Sequence, residues 1–218
     1  MAGRVNRYRR GRSATLSSRK TWHLYFGGLL FVLAVVLSRG SAMQNWEVSL
    51  FEFVYNRPEY LRPLFFVITQ LGSIHALGVV LIILLIRQRY DAFSKVLFGS
   101  TMAYLLSGFA KDIWGRVRPH EFLGNVVNLD YEVRGPGFPS GHTALVTVLV
   151  LVLLNYLPSK FRYVGFAVIA LVGYSRMFLG VHAPLDVLGG FAIGYFVYAL
   201  LLHLRIANFL SGAKDRKN

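Results

Sequence analysis

Residues 185–204 read LDVLGGFAIGYFVYALLLHL, and these twenty positions hold one acidic side chain and neither Lys nor Arg. A transmembrane helix needs roughly 20 predominantly apolar residues. Five further apolar stretches of 17 to 23 residues lie upstream, at 22–38, 64–86, 96–113, 140–157 and 162–179. Only 16% of the chain is charged, against about 25% in a typical soluble domain. The sequence therefore predicts an all-α polytopic membrane protein, a bundle of six transmembrane helices.

The charge is distributed unevenly between the two sides that six spans imply. The 218 residues carry a net charge of +14, and sixteen of the 24 Lys and Arg residues fall in the two tails and two short connections. The other side carries eight basic and eight acidic residues. By the positive-inside rule, both termini are predicted to be cytoplasmic and the protein to lie in the plasma membrane. No nucleic-acid partner is expected, because the basic chain is so apolar.

The regions outside the spans are short. Residues 1–21 and 206–218 are predicted to be cytoplasmic tails, and residues 22–205 a single six-span domain. The basic first tail sets the topology, with docking to anionic lipid or nucleic acid as an alternative role. Gly40-Ser41-Ala42 is a weak cleavage-like site, but the spans that follow favour an uncleaved first helix. Residues 43–63 place apolar side chains at near-helical spacing, which predicts an extracytoplasmic amphipathic helix at the membrane interface.

Two residue types limit the remaining possibilities. The chain has no Cys, which excludes disulfides, thiolate metal sites and a Cys nucleophile. Gly190 and Gly194 form a small-residue pair inside the last span. Such pairs allow helices to pack closely within a bundle, and a dimer face is the alternative. The sequence leaves the oligomeric state open.

Ionisable side chains gather at the predicted outer ends of the spans. Such groups are costly at membrane depth and indicate function. They come from three separate segments, which contain Lys111, Asp112, Arg116 and Arg118, then His142, and finally Arg176, His182 and Asp186. Scattered surface charge does not gather at one level in this way, so we expect these segments to form one site facing the extracytoplasmic side.

The cations predict a phosphate-binding site. Lys111, Arg118 and Arg176 attract an anion, and the forked donors of Arg match phosphate oxygens. Ser140 and Gly141 stand where the fourth span begins, and the free N–H groups of a helix start also bind anions. Gly141 lets the backbone approach a ligand closely. A plain helix cap is the alternative role for Ser140.

Two histidines predict phosphoryl transfer. Asp186 follows His182 by four residues, a spacing that places both on one face of a helix. A carboxylate on one ring nitrogen leaves the other free as a nucleophile, and His142 can supply the acid. A zinc site made by His142, His182, Asp186 and His120 is the alternative, disfavoured by the surrounding cations. The other histidines, His23, His75, His120 and His203, are expected to be satisfied interfacial residues.

Three segments resemble the signature motifs of the type-2 phosphatidic acid phosphatase superfamily. They are Lys111-x6-Arg118-Pro119, then Pro139-Ser140-Gly141-His142, then Ser175-Arg176-x3-Gly180-x-His182-x3-Asp186. The resemblance implies an all-helical enzyme that hydrolyses phosphate bonds without metal or cofactor, through a phosphohistidine. It implies that His182 is the nucleophile, Asp186 its orienting partner and His142 the general acid. Phosphate ligands would be Lys111, Arg118, Ser140, Gly141 and Arg176.

The substrate class is less defined than the chemistry. An outward site in a small chain favours a membrane lipid phosphate, with polyprenyl diphosphate, such as undecaprenyl diphosphate, as the first hypothesis. Arg116 and Arg134 offer spare charge for a second phosphate, although a solvated loop charge is the plainer role for Arg116. Phosphatidate and phosphatidylglycerophosphate are the alternatives. A lipid phosphotransferase is the second hypothesis, and a lipid-phosphate binder without catalysis is the third.

Overall fold

The computed structural model describes residues 21–38, 43–130 and 135–204, and the regular structure in this part of the chain is entirely helical. The α-helices are α1 (Thr21–Leu37), α2 (Asn45–Tyr55), α3 (Arg62–Gln70), α4 (Ile74–Ile86), α5 (Tyr90–Trp114), α6 (Pro119–Phe122), α7 (Gly141–Leu154), α8 (Arg162–Phe178) and α9 (Pro184–Leu204). Short 3-10 turns at Glu59–Leu61 and Ser159–Phe161 precede α3 and α8. The predicted all-α class is confirmed.

Two helical segments are, by length and composition, able to cross a bilayer: Ser159–Phe178, which includes α8, and α9. Glu59–Gln70 and Ile74–Ile86 add a third crossing if they act together, although they are bent by 47°. The apolar helices α1 and α7 are shorter. The 14 residues of α7 rise about 21 Å, below the roughly 30 Å of a hydrocarbon core. The count of six spans therefore remains a prediction.

The predicted second span, 64–86, is not one continuous helix. It breaks between α3 and α4, where Ser73 caps α4 by accepting the N–H of Ala76. A Cβ at Gly72 would lie 2.8 Å from the carbonyl oxygen of His142 and 2.9 Å from Cγ1 of Val172. Glycine is therefore needed for the break to approach α7 and α8 so closely. The break places the end of α3 and the start of α4 beside His142.

Helix α7 lies at the centre of the fold, packed against α5, α8 and α9. Gly190 and Gly194 of α9 face it: a Cβ at Gly194 would lie 2.5 Å from the carbonyl oxygen of Ala144, and one at Gly190 would overlap that of Ser140. This small-residue pair serves packing inside the bundle. The start of α7 and the start of α9 are thereby held side by side.

The predicted amphipathic segment 43–63 contains the helix α2, which packs against α8 and α9. Phe51 and Val54 are buried beneath it, together with Glu47, while Trp46 and Phe53 are exposed. The segment thus forms an amphipathic helix, but one charged residue lies on its buried face.

Several predictions concern residues outside the described ranges. They are the basic residues of the first tail, the cleavage-like Gly40-Ser41-Ala42, Arg134 and the tail 206–218. The division into two tails and one six-span domain likewise stays a prediction.

Candidate active site

The predicted site residues come together at one end of the bundle. Lys111 is in the last turn of α5, Arg118 precedes α6, Ser140, Gly141 and His142 begin α7, Arg176 is in the last turn of α8, His182 lies between α8 and α9, and Asp186 is in the first turn of α9. Backbone hydrogen bonds join these segments: Ser140 N–H donates to the carbonyl of Asp186 (2.8 Å), and His182 N–H to that of Arg176 (3.3 Å).

Lys111 and Arg118 are brought together by the turn that ends α5. Gly115 adopts a left-handed conformation (φ +55°), and its N–H closes the helix on the carbonyl of Lys111. Both cations donate to the carbonyl of Pro136, from Lys111 Nζ at 2.7 Å and from Arg118 Nη2 at 3.1 Å. Arg118 also donates to the carbonyl of Val181 (2.7 Å). Burial and the charge of Arg176 lower the pKa of Arg118 to about 10, so it remains charged at neutral pH.

Arg176 is fixed by two acceptors from different segments. Its Nη1 donates to Oδ2 of Asp130 (2.7 Å) and to Oγ1 of Thr69 (2.9 Å), and its side chain is buried. Asp130 belongs to the loop before α7, and no sequence pattern had singled it out. A phosphate that binds Arg176 must therefore share this cation with a carboxylate.

His182 and Asp186 form the predicted pair, but not on one helix. Helix α9 begins at Pro184, so His182 lies in the preceding turn; Asp186 reaches back over that turn, its Oδ2 accepting the N–H of Ala183 (2.8 Å). Nδ1 of His182 lies 3.5 Å from the same oxygen and has no hydrogen-bond partner among the described residues. Burial and the nearby charges of Arg118, Lys111 and Arg176 hold the pKa of His182 well below its usual range. Its imidazole is therefore neutral at pH 7.

The start of α7 combines a helix cap with an open ligand space. Ser140 is the N-cap, and its Oγ accepts hydrogen bonds from the N–H (3.4 Å) and hydroxyl (3.0 Å) of Thr143. A Cβ at Gly141 would meet nothing within 4 Å. Gly141 and His142 line a cavity of about 470 Å³, whose other walls come from α3, α4, α5 and the loop before α7, through Phe66, Gln70, Gly72, Ser73, Ile74, His75, Tyr104, Asp130 and Leu145.

Sequence reasoning missed the roles of Arg116 and Glu47. Arg116 was expected to be a solvated loop charge or a ligand of a second phosphate, but it is 1% exposed. It forms ion pairs with Glu47 and with Asp186. The pattern held one signal: Glu47 lies on the apolar face of α2, four and seven residues before Phe51 and Val54.

The remaining histidines differ in their surroundings. Nδ1 of His23 lies 2.5 Å from the hydroxyl of Tyr195, and Nδ1 of His120 lies 3.2 Å from the carbonyl of Gly180, so both are satisfied. His75 lines the cavity beside His142. Over residues 21–38, 43–130 and 135–204, no three His, Asp or Glu side chains are grouped so that they could hold a metal ion. The zinc alternative therefore finds no ligand set in this part of the chain.

Known phosphatases are similar to this chain in sequence. The chain is 28% identical over 185 residues to undecaprenyl-diphosphatase of Sulfolobus acidocaldarius, covering 84% of this chain and 90% of the relative. It is 30% identical over 190 residues to phosphatidylglycerophosphatase B of Bacillus subtilis, covering 79% and 90%. A shorter match, 37% identical over 110 residues, joins 46% of the chain to 47% of lipid A 4'-phosphatase of Porphyromonas gingivalis.

Two solved structures share the fold. The crystal structure of Aquifex aeolicus LpxE matches with a TM-score of 0.64 at 29% identity, covering 72% of this chain and 94% of that one. A transmembrane phosphatidylglycerolphosphate phosphatase from Bacillus subtilis matches with a TM-score of 0.68 at 24% identity, covering 89% and 98%. The family model of the PAP2 superfamily matches residues 92–209, more than half of the chain. The chain therefore belongs to the PAP2 superfamily, as a hydrolase of lipid phosphate bonds.

Proposed function

We propose that the protein is a metal-independent phosphatase that acts through a phosphohistidine, with a polyprenyl diphosphate, such as undecaprenyl diphosphate, as substrate. The observation that carries the proposal is the setting of His182, a neutral imidazole beside the Asp186 carboxylate and close to Lys111, Arg118 and Arg176. Cations aimed at one position stabilise the charge of a transferring phosphoryl group, and an oriented imidazole is a nucleophile.

The reaction has two steps. Nε2 of His182 attacks phosphorus, the bond to the leaving oxygen breaks, and a proton from His142 passes to that oxygen. Water then attacks the phosphohistidine, the P–N bond breaks, phosphate leaves, and the proton of the water returns to His142. Asp186, whose Oδ2 lies 3.5 Å from Nδ1, favours the tautomer that carries its proton on Nδ1, and their hydrogen bond shortens when substrate binds. The phosphoryl oxygens are bound by Lys111, Arg118, Arg176, the hydroxyl of Ser140 and the N–H of Gly141.

We further propose six spans, with cytoplasmic termini and an extracytoplasmic site. The support is the charge asymmetry of the sequence, with sixteen of 24 basic residues on one predicted side. Helix α5 fits this arrangement. Its start carries Asp91 and Lys95, which lie on the predicted cytoplasmic side, and its last turn carries Lys111, which lies on the predicted outer side.

The leaving group belongs on the side of His142, opposite the attacking nitrogen. The cavity beside His142 has aromatic and aliphatic walls, including Phe66, Tyr104 and Leu145, which suit the apolar part of a lipid. Arg116 is not proposed as a ligand for a second phosphate, because its side chain is buried and forms ion pairs with Glu47 and Asp186. The choice of a diphosphate therefore rests on the Sulfolobus relative. The Bacillus relative supports phosphatidylglycerophosphate as the alternative substrate.

The test is phosphate release by the purified protein in detergent with EDTA present. Undecaprenyl diphosphate, phosphatidate and phosphatidylglycerophosphate are compared at matched mole fraction in mixed micelles, with His182→Asn as the control. We expect release that persists in EDTA, disappears in the variant and is fastest from undecaprenyl diphosphate. If phosphatidate is hydrolysed about a hundredfold faster than undecaprenyl diphosphate, the proposed substrate is wrong. Loss of release in EDTA that a divalent cation restores would contradict the metal-free mechanism, and loss of lipid phosphate without free phosphate would indicate a phosphotransferase.

Asp130→Asn is expected to tighten phosphate binding. The carboxylate of Asp130 occupies Arg176 and repels an incoming anion. Removing one charge a few ångströms away is worth about 1 kcal/mol, or roughly a fivefold lower Ki for inorganic phosphate. Glu59→Gln, which removes an exposed carboxylate from the 3-10 turn before α3, is the control. A higher Ki in Asp130→Asn would show instead that Asp130 is needed to hold Arg176 in position.

A further inference from the structure

Arg116 is the centre of a buried ionic cluster behind the nucleophile. Its Nη1 donates to Oε1 of Glu47 (3.0 Å) and to Oδ1 of Asp186 (2.9 Å), and its Nη2 donates to Oε2 of Glu47. All three side chains are at most 1% exposed. One guanidinium thus bridges two carboxylates and offsets their mutual repulsion. No residue of this cluster except Asp186 has a part in the mechanism described above.

Glu47 also holds the helix that carries Asp186. Its Oε1 accepts the N–H of Leu185, in the first turn of α9, at 3.0 Å. That N–H is one of the donors that a helix start leaves without a partner, and a carboxylate at this position also favours the helix dipole. Helix α2 is therefore joined through one side chain to Arg116 and to the backbone beside Asp186.

Both oxygens of Asp186 are engaged, and only one faces the nucleophile. Oδ1 accepts from Arg116, whereas Oδ2 accepts from the N–H of Ala183 and lies 3.5 Å from Nδ1 of His182. We propose that Glu47 and Arg116 are positioning residues: Arg116 fixes the rotation of the Asp186 carboxylate and favours its ionised form, and Glu47 holds Arg116 and the start of α9 in place, so that Asp186 orients His182. This inference rests on the proposed function, in which His182 is the nucleophile.

The charge of Glu47 matters as well as its shape. With Glu47 ionised, the guanidinium is shared between two carboxylates. Asp186 then keeps enough negative charge to accept a hydrogen bond from Nδ1–H of His182. In Glu47→Gln the whole charge of Arg116 falls on Asp186, which becomes a weaker acceptor. The structure therefore assigns Glu47 an effect on the nucleophile and not on the phosphate-binding cations Lys111, Arg118 and Arg176, which it does not contact among the described residues.

Two anions separate these effects. Orthovanadate adopts a five-coordinate form that resembles the transition state and takes the attacking atom, here Nε2 of His182, as an apical ligand, whereas inorganic phosphate needs only the cations. Calorimetric titration of the purified protein in detergent with each anion gives both Kd values without a lipid substrate. Glu47→Gln is compared with Glu52→Gln, which removes a partly exposed carboxylate from the same helix. Arg116→Lys is the second variant, since lysine keeps the charge but lacks the fork that bridges two carboxylates.

We expect Glu47→Gln and Arg116→Lys to weaken vanadate binding by about tenfold or more and to lower kcat roughly ten- to hundredfold, the range found when outer partners of metal-bound histidines are removed. The Kd for phosphate and the KM should stay within about twofold, and Glu52→Gln should match the unaltered protein. Equal loss of vanadate and phosphate binding, no loss of either, or failure of both variants to fold would overturn the inference. If His182→Asn retains both the preference for vanadate and the activity, the proposed function fails together with this inference.

Discussion

His182→Asn is expected to reduce phosphate release at least about 10⁴-fold. Loss of a nucleophile that acts as a unit with its partners costs several orders of magnitude in other hydrolases, up to about 10⁶ in kcat. Asparagine retains a polar side chain of similar reach beside Asp186, but it has no ring nitrogen to attack phosphorus. Steady-state release of phosphate from the best of the three lipids measures the effect.

The same variant should still bind inorganic phosphate. Lys111, Arg118 and Arg176 donate to carbonyl groups, Thr69 and Asp130 and not to His182, so the anion site does not depend on the imidazole. His203→Asn, at the exposed far end of α9, is the matched control and should release phosphate at the normal rate. Retention of more than a hundredth of the activity in His182→Asn would remove His182 as the nucleophile.

Gly190→Val is expected to destabilise the protein and abolish most of its activity. A side chain at Gly190 would meet the carbonyl oxygen of Ser140 and lie 3.0 Å from Cβ of Thr143, so α9 has to move away from α7. Overpacking of this kind costs about 3 kcal/mol. Because Ser140 and His142 lie on α7 and Asp186 on α9, the displacement also separates the two halves of the site. Thermal unfolding in detergent and phosphate release measure the two effects.

Gly108→Val provides the comparison for this substitution. Gly108 is also within a helix, so the loss of helix propensity is similar, but a Cβ there meets nothing within 4 Å. We expect Gly108→Val to unfold within a few degrees of the unaltered protein and to retain its activity. Equal melting temperatures and activities for the two variants would show that close packing at Gly190 does not hold the site together.

The sequence predicts the main site because each of its residues lies at the end of an apolar stretch. In the predicted six-span arrangement these ends lie at one level of the bilayer, so the sequence groups Lys111, His142, Arg176 and Asp186 before any helix packing is known. The sequence also predicted that the last helix packs closely against a neighbour, because Gly190 and Gly194 form a small-residue pair. The sequence could not say which helix that neighbour is, and it suggested a continuous second span because Gly72 and Ser73 are compatible with an apolar run.

The buried ionic partners could not be predicted in the same way. Arg116 and Glu47 are 69 positions apart, and no periodicity connects them. A charged residue in a loop is usually solvated, so the general expectation for Arg116 was the wrong one. Asp130 likewise becomes recognisable only when the loop before α7 is folded over Arg176. These pairings depend on tertiary structure, which places side chains from distant segments in one region of low dielectric constant.

The family match begins at residue 92, yet the site also uses residues that precede it. Glu47 binds Arg116, Thr69 accepts from Arg176, and Gly72 allows the chain to approach His142. The residues before position 92 therefore contribute to the site, and the segment that matches the family model does not form the site alone. A chimera that takes this part from a relative without an acid at the position of Glu47 leaves Arg116, among the described residues, with Asp186 as its ion-pair partner. Positions 47 and 116 are accordingly expected to change together during evolution.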